Sequence, residues 1–404
     1  MNKKAMAIAV AGVLAAPASV ALAQTSTVQI GGSITAFYYR HSINNATAGQ
    51  GTDIMETSEP EIFVRGEEKL GGGLSAWFQC TSSLDGLING AATAAVAGWC
   101  GRNSGIGFQG SWGNLFMGNW DMPLKFVQNR ARGWWGGTNS LTGGNMILLG
   151  GGSASGAVNG GTPASFFRRQ ANSWNYHSPS WNGFTVQAAF SAANEQTGIP
   201  ETNPLSPRMY SIAGQYSSGP LYIGVGYERH NDFNPASQAI GTTATTYGGG
   251  SDDNWSITAG YTFAGVFNLR GIYTNFEYET TNSTSLDTDG WGIFADWNIQ
   301  GPHTLRAHYA SVDGTGGTSA VNVGSYKGPL GGACGPTSAI SCATGTGADH
   351  WGLAYSYAFS KRTMGSIAYT RMSNDHNATF SKGKQAASAG NNQTSAGIVL
   401  QHRF

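Results

Sequence analysis

The chain has 404 residues, 22 Lys+Arg against 22 Asp+Glu, and only 11% charged residues, where soluble domains average about 25%. That balance lacks the basic excess of a nucleic-acid binder and argues against nucleic acid as a partner. With 60 Gly, 12 Trp, 16 Tyr and 18 Phe, the composition fits short strands and tight turns under an apolar exterior.

Lys3 and Lys4 precede a short apolar run, Ala5 to Ala16, and Ala21-Leu22-Ala23 forms a small-x-small cleavage site. This reads as a secretory signal over residues 1–23, with the mature domain at 24–404 beginning on Gln24. Nothing downstream approaches the roughly 20 apolar residues of a transmembrane helix. An exported chain of this kind is either a secreted all-β protein or an outer-membrane β-barrel.

From Val28 onward the hydrophobic period is two. Phe184, Val186, Ala188 and Phe190 alternate with Thr185, Gln187, Ala189 and Ser191. Leu221, Ile223, Val225 and Tyr227 alternate with Tyr222, Gly224, Gly226 and Glu228. The same pattern runs through Trp255–Phe263, Leu305–Tyr309 and Trp351–Phe359. A soluble sandwich puts the apolar face in its core; a membrane barrel turns it to lipid and lines a lumen with the polar face. Alternation alone leaves both open.

Three features favour the barrel. Tight turns at Leu70–Gly73, Ser111–Gly113, Ser180–Gly183, Ser217–Pro220, Ala264–Gly265, Gln300–Pro302 and Ser360–Arg362 alternate with long loops near 41–58, 81–102, 121–167, 194–207, 231–252, 280–287, 313–348 and 375–393. Short turns at one rim and long loops at the other are an outer-membrane pattern, and they divide the chain into sixteen strands. Aromatics gather near strand ends, as interfacial girdles do, at Tyr38, Tyr39, Trp120, Trp255, Trp291, Trp297, Trp351 and Phe359. The chain also closes on a strand ending His402-Arg403-Phe404. The expected fold is an all-β, transmembrane antiparallel β-barrel of sixteen strands in the outer membrane of a Gram-negative bacterium.

The longest feature that is neither strand nor amphipathic helix runs from Asp121 to Phe167. Met122 to Asn194 contains no Asp or Glu, yet holds Lys125, Arg130, Arg132, Arg168 and Arg169. A loop this long is usually functional or disordered.

Several segments resemble one family. Glu61–Gln79, EIFVRGEEKLGGGLSAWFQ, is similar to the second strand, turn and third strand of the Gram-negative general diffusion porins, especially the Gly-rich betaproteobacterial type. Gly107–Gly118, Asn172–Phe184, Ser360–Thr363 and the terminal His-Arg-Phe also resemble porin segments, in the same order along the chain. The resemblance implies a homotrimer embedded in outer-membrane lipid, with the third loop folded into the lumen as a constriction. It also implies that Phe404 belongs to a signal read by the outer-membrane assembly machinery. Many members carry a basic residue where this chain has Asn119, so the positive wall is expected to be arranged differently.

A diffusion pore needs no catalyst and no cofactor; it needs a hole and a field. Arg or Lys rings favour anions. Lys125, Arg130 and Arg132 are the loop candidates. Arg65 and Arg306 are wall candidates, because an Arg at the lipid midplane costs about 2–4 kcal/mol and so points inward. Asp121, Glu61, Glu67 and Asp296 are candidates for an opposing acidic wall. Phe126, Trp134 and Trp135 either guide aromatic acids or sugars or plug the loop against the wall, and the plug is preferred.

Four cysteines fit an oxidising compartment; Cys80–Cys100 and Cys334–Cys342 are the simplest of three pairings. The histidines show no metal spacing. The expected function is passive diffusion of small hydrophilic solutes and ions, with anion preference. The alternatives are a channel selective for organic acids, phosphate or sugars, and an adhesin or receptor barrel. A barrel hydrolase built on Asp349-His350 or Asp375-His376 lacks a serine motif to support it.

Overall fold

Strand alternation and short turns produce one closed sheet in the computed structural model. Its described residues are 27–44, 51–84, 86–89, 98–136, 139, 141–149, 165–192, 207–234, 239–240, 250–281, 283–329, 344–382 and 388–404. The proposed signal segment, Cys334 and Cys342 lie outside them. Sixteen strands follow one another around the barrel. They are β1 Thr27–Ile43, β2 in two pieces (Thr52–Thr57 and Glu61–Gly71), β3 Leu74–Ser83, β4 Ser104–Gly110, β5 Gly113–Asp121, β6 Arg169–His177, β7 Phe184–Ser191 and β8 Arg208–Ser218. The second half is β9 Leu221–Asn231, β10 Ser251–Phe263, β11 Phe267–Thr281, β12 Thr284–Asn298, β13 His303–Val312, β14 Ala348–Ala358, β15 Thr363–Asn374 and β16 Gln393–Arg403. Each pairs antiparallel with its neighbours. β16 closes the ring on β1, in register from Ser33↔Arg403 to Ile43↔Gln393. Phe404 extends the seam by exchanging two backbone hydrogen bonds with Gly32, both 3.1 Å.

The period-two pattern sorts side chains as the sequence indicates. On β10, Trp255, Ile257 and Tyr261 lie on the exposed outer face, while Asn254, Ser256 and Thr258 are buried inside. On β14, Leu353 faces out and His350, Gly352, Ala354 and Ser356 face in. No helix among the described residues is long and apolar enough to cross a membrane; the strands do the crossing.

Two expectations need correction. The connection expected as a long loop at 280–287 is tight, because β11 and β12 remain paired out to Thr281↔Thr284. The 41–58 region contains the first piece of β2, paired with β1 from Ala36↔Thr57 to His41↔Thr52. In both places Thr and Asp side chains made a strand look like a loop.

Candidate functional site: a loop packed inside the lumen

The third loop is not free of helix. Pro123–Arg132 forms α1, with Pro at its start and Gly133 closing it at φ 55°. Pro at the first helical position and Gly just past the last are the usual helix punctuation. Two short 3-10 turns follow, Gly133–Gly136 and Gly144–Leu149.

The loop lies against the inner wall. α1 packs on β8 to β12, and Gly144–Leu149 on β12 to β14. The Leu124 backbone N–H donates to Ser211 Oγ (3.1 Å), and Thr258 Oγ1 donates to the Val127 carbonyl (3.1 Å). Further along, Thr370 Oγ1 donates to the Leu141 carbonyl (3.0 Å) and Tyr326 OH to the Ile147 carbonyl (2.7 Å). Leu124, Ala131, Trp135, Leu148 and Phe166 join wall residues such as Phe276, Phe294 and Met372 in one buried apolar cluster. The core of this protein therefore sits inside its barrel, between loop and wall.

Glycines on the wall make room for it. A Cβ at Gly226 would meet Leu124 Cδ1 at 2.9 Å; at Gly292, Leu148 Cδ1 at 2.8 Å; at Gly352, Trp135 at 2.9 Å and His308 at 2.7 Å. Contacts that close require the neighbour to move.

The charged candidates separate into buried and lumen-facing sets. Lys125 is buried, pairs with Asp121 at 2.8 Å, and lies 4.5 Å from the Phe167 ring centre. Burial pulls its ammonium pKa down and Asp121 opposes the shift. Arg132 is also buried, 4.7 Å from the same ring, and burial lowers its pKa to about 10. Arg130 is exposed and stacks on Tyr222 at 4.6 Å. Arg65 sits 5.8 Å from Trp77 and shares a small lumen recess with Glu67, Gln29 and Thr27.

The carboxylates do not form a separate wall facing the arginines. Asp121 holds Lys125 and Arg169, the latter at 3.2 Å. Glu61 holds Arg102 at 3.0 Å. Asp296 lies between Arg270 and Arg306 on the same stretch of wall, 3.5 Å from Arg306. Arg270, which adjoins Gly133, was missed from sequence, although its inward phase on β11 was readable. Asn119, at the position of the expected family difference, donates to the Gly101 carbonyl at 3.0 Å and ties β5 to the second loop.

Of the aromatic trio, Trp135 is fully buried as a plug, while Trp134 is half-buried with the Arg306 guanidinium 5.3 Å from its ring. Cys80 and Cys100 form a disulfide across the second loop, with Cα atoms 4.6 Å apart. Asp349 and His350 point to opposite faces. His350 Nδ1 meets His308 Nε2 inside at 2.7 Å, while Asp349 interacts with Tyr309.

Loop 8 joins the same wall through Lys382, whose ammonium is buried and donates to Thr370 Oγ1 at 2.5 Å. Burial holds its pKa well below the usual lysine value. A base with a depressed folded pKa destabilises the fold when protonated, so its site gains stability as pH rises from the folded toward the unfolded pKa. Lys382→Met is expected to remove that alkaline gain. Hydrogen exchange at Thr370 and its neighbours, followed against pH, checks it; an unchanged pH slope would count against the assignment.

These elements define an outer-membrane channel: a closed membrane barrel with one long loop folded against the inside of its wall. The Gram-negative porin profile matches residues 7–377, and the chain belongs to that family. It is 26% identical over 319 residues to outer membrane porin protein 32 of Delftia acidovorans, covering 78% of this chain and 80% of the relative. In fold it is similar to the anion-selective porin from Comamonas acidovorans, with a TM-score of 0.69 at 20% identity, covering 94% of this chain and all of the other. It also resembles OmpT of Vibrio cholerae in its trimer form, with a TM-score of 0.58 at 13% identity, covering 94% of this chain and all of that one. The chain is thus an outer-membrane porin, a channel for passive diffusion.

Proposed function

We propose that this porin prefers anions, and that the preference arises at the third loop and the wall beneath it. The observation that carries this is an excess of unpaired cations over unpaired carboxylates: among the described residues lining the lumen recesses, Glu59 and Glu67 form no ion pair, against Arg65, Arg130, Lys361, Arg362 and Arg403. Asp121, Glu61 and Asp296 are each committed to at least one cation. Arg130, Arg362 and Arg403 form no ion pair among the described residues. Arg130 is exposed, and Arg362 and Arg403 line the lumen below the loop. Low-dielectric walls focus the field of such groups on passing ions. The relative named for anion selectivity supports the reading.

The test is reversal potential in a planar bilayer under a KCl gradient. The wild type is expected to be chloride-selective, and Arg130→Glu to move the potential toward potassium. A potassium-selective wild type would overturn the reading. Three barrels are proposed to associate, as in the trimer form of the similar structure; cross-linking in native membranes tests it. Removal of residues 1–23 and recognition of Phe404 during assembly complete the proposal. Amino-terminal sequencing and outer-membrane yield of Phe404→Ala test those two parts.

A further inference from the structure

Below the third loop, toward the short turns, the lumen holds a cavity of about 580 Å³. Trp134 hangs from the loop above it. Arg306 of β13, Lys361 and Arg362 of the β14–β15 turn, and Arg403 of β16 line it, with Glu59 as its one carboxylate among the described lining residues. The volume is within the usual range for small-molecule sites, about 300–1,000 Å³.

Charge alone would serve a plain anion path, and an indole in a wetted lumen adds nothing to it. Trp135, its neighbour, is fully buried in the core; Trp134 packs against that core but stays half-buried and lines the cavity. Arg306 is already committed. Its Nε lies 3.5 Å from Asp296, it donates to Ser356 Oγ, and its guanidinium lies 5.3 Å from the Trp134 ring. It fixes the indole rather than waiting for a solute. Lys361, Arg362 and Arg403 have no ion-pair partner among the described residues and are free to receive one. The cavity therefore offers a flat apolar surface beside uncommitted cations. Guanidinium groups bind carboxylates through paired N–H donors, and planar rings gain by offset or edge contact with an indole.

We propose that this cavity is a binding subsite for aromatic carboxylates, the ring against Trp134 and the carboxylate at Arg362 and Arg403. The inference rests on the anion-preferring reading and names the solute class it would favour. Such a site slows each bound solute while raising its local concentration in the pore, which helps transport when the outside supply is dilute.

The experiment uses the full barrel in planar bilayers, with chloride conductance read during titration of benzoate, cyclohexanecarboxylate or acetate. The two ring acids share charge and similar bulk and differ in planarity. Benzoate is expected to reduce conductance saturably, with half-block at a concentration about three- to tenfold below that of cyclohexanecarboxylate, the range an aromatic contact supplies. Acetate is expected to block weakest. Trp134→Leu should bring benzoate to the level of cyclohexanecarboxylate, Trp134→Phe should restore part of the difference, and Arg362→Gln should weaken both ring acids together.

Equal block by benzoate and acetate in the wild type would overturn the subsite without need of a variant, as would benzoate block untouched by Trp134→Leu. The KCl reversal potential of the wild type, taken on the same membranes, separates the two proposals. Chloride selectivity without benzoate block overturns the subsite alone, and potassium selectivity overturns both.

Discussion

Asp121→Ala is expected to release the root of the third loop. The carboxylate sits where β5 ends and α1 begins. It accepts from Lys125 at 2.8 Å and from Asn103 Nδ2 at 3.1 Å, and pairs with Arg169 at 3.2 Å. Deleting it leaves two cations without their counter-charge in a place water scarcely reaches. Breaking a buried pair by removing one partner costs about 3–5 kcal/mol. The barrel itself should survive, because no β-ladder hydrogen bond depends on this side chain. The loss should appear as trypsin cleavage after Lys125, Arg130 or Arg132 in the folded barrel, and as noisier open-channel current. Asp121→Asn keeps shape and loses charge, and should fall between. A protease pattern identical to wild type would show that the loop is held elsewhere.

Gly352→Val attacks the opposite end of the same contact. Valine suits a strand, so the local backbone preference is met. Yet a Cβ there would stand 2.6 Å from Thr370 Cγ2, 2.7 Å from His308 Cε1 and 2.9 Å from Trp135. Overpacking of this kind costs about 1–3 kcal/mol. Thr370 and His308 are fixed on neighbouring strands, whereas Trp135 belongs to the loop and is the group able to leave. Single-channel conductance is therefore expected to rise as the loop lifts from the wall, with unchanged mobility of the unheated barrel on a denaturing gel. Unchanged conductance would mean that the strands, not the loop, absorb the extra atoms.

The barrel was legible because lipid and lumen impose opposite demands on alternate residues. Trp255 and Ser256, or Leu353 and Ala354, could be assigned to faces without any knowledge of neighbours. α1 was harder. Its buried positions include Leu124, Val127 and Ala131, but also Lys125, Gln128 and Arg132, so no polar face stands out. Only Pro123 and Gly133 mark its boundaries in the sequence. Arg130 and Arg132 look alike in sequence; one is exposed and the other buried, since helical rotation over two residues turns a side chain toward or away from the wall.

The partners were least legible. His308 and His350 are 42 residues apart and meet through the β13–β14 register, which places Ala310 opposite His350 and His308 opposite Gly352. Asp296 was readable as inward-facing, yet its neighbours Arg270 and Arg306 come from the strands on either side. Phase is a local property; company depends on register.

The seam between β1 and β16 has a consequence for how the molecule is made. Gln401 Nε2 donates to Thr35 Oγ1 across a sequence separation of 366 residues. Every other strand pairs with its immediate neighbours in the chain, but the first must also pair with the last. Until then two edges stay open, each a row of unpaired amides that would pair with any strand nearby. The unclosed barrel must therefore be shielded from its own kind until its last strand meets its first. Closure needs the C-terminal strand in place.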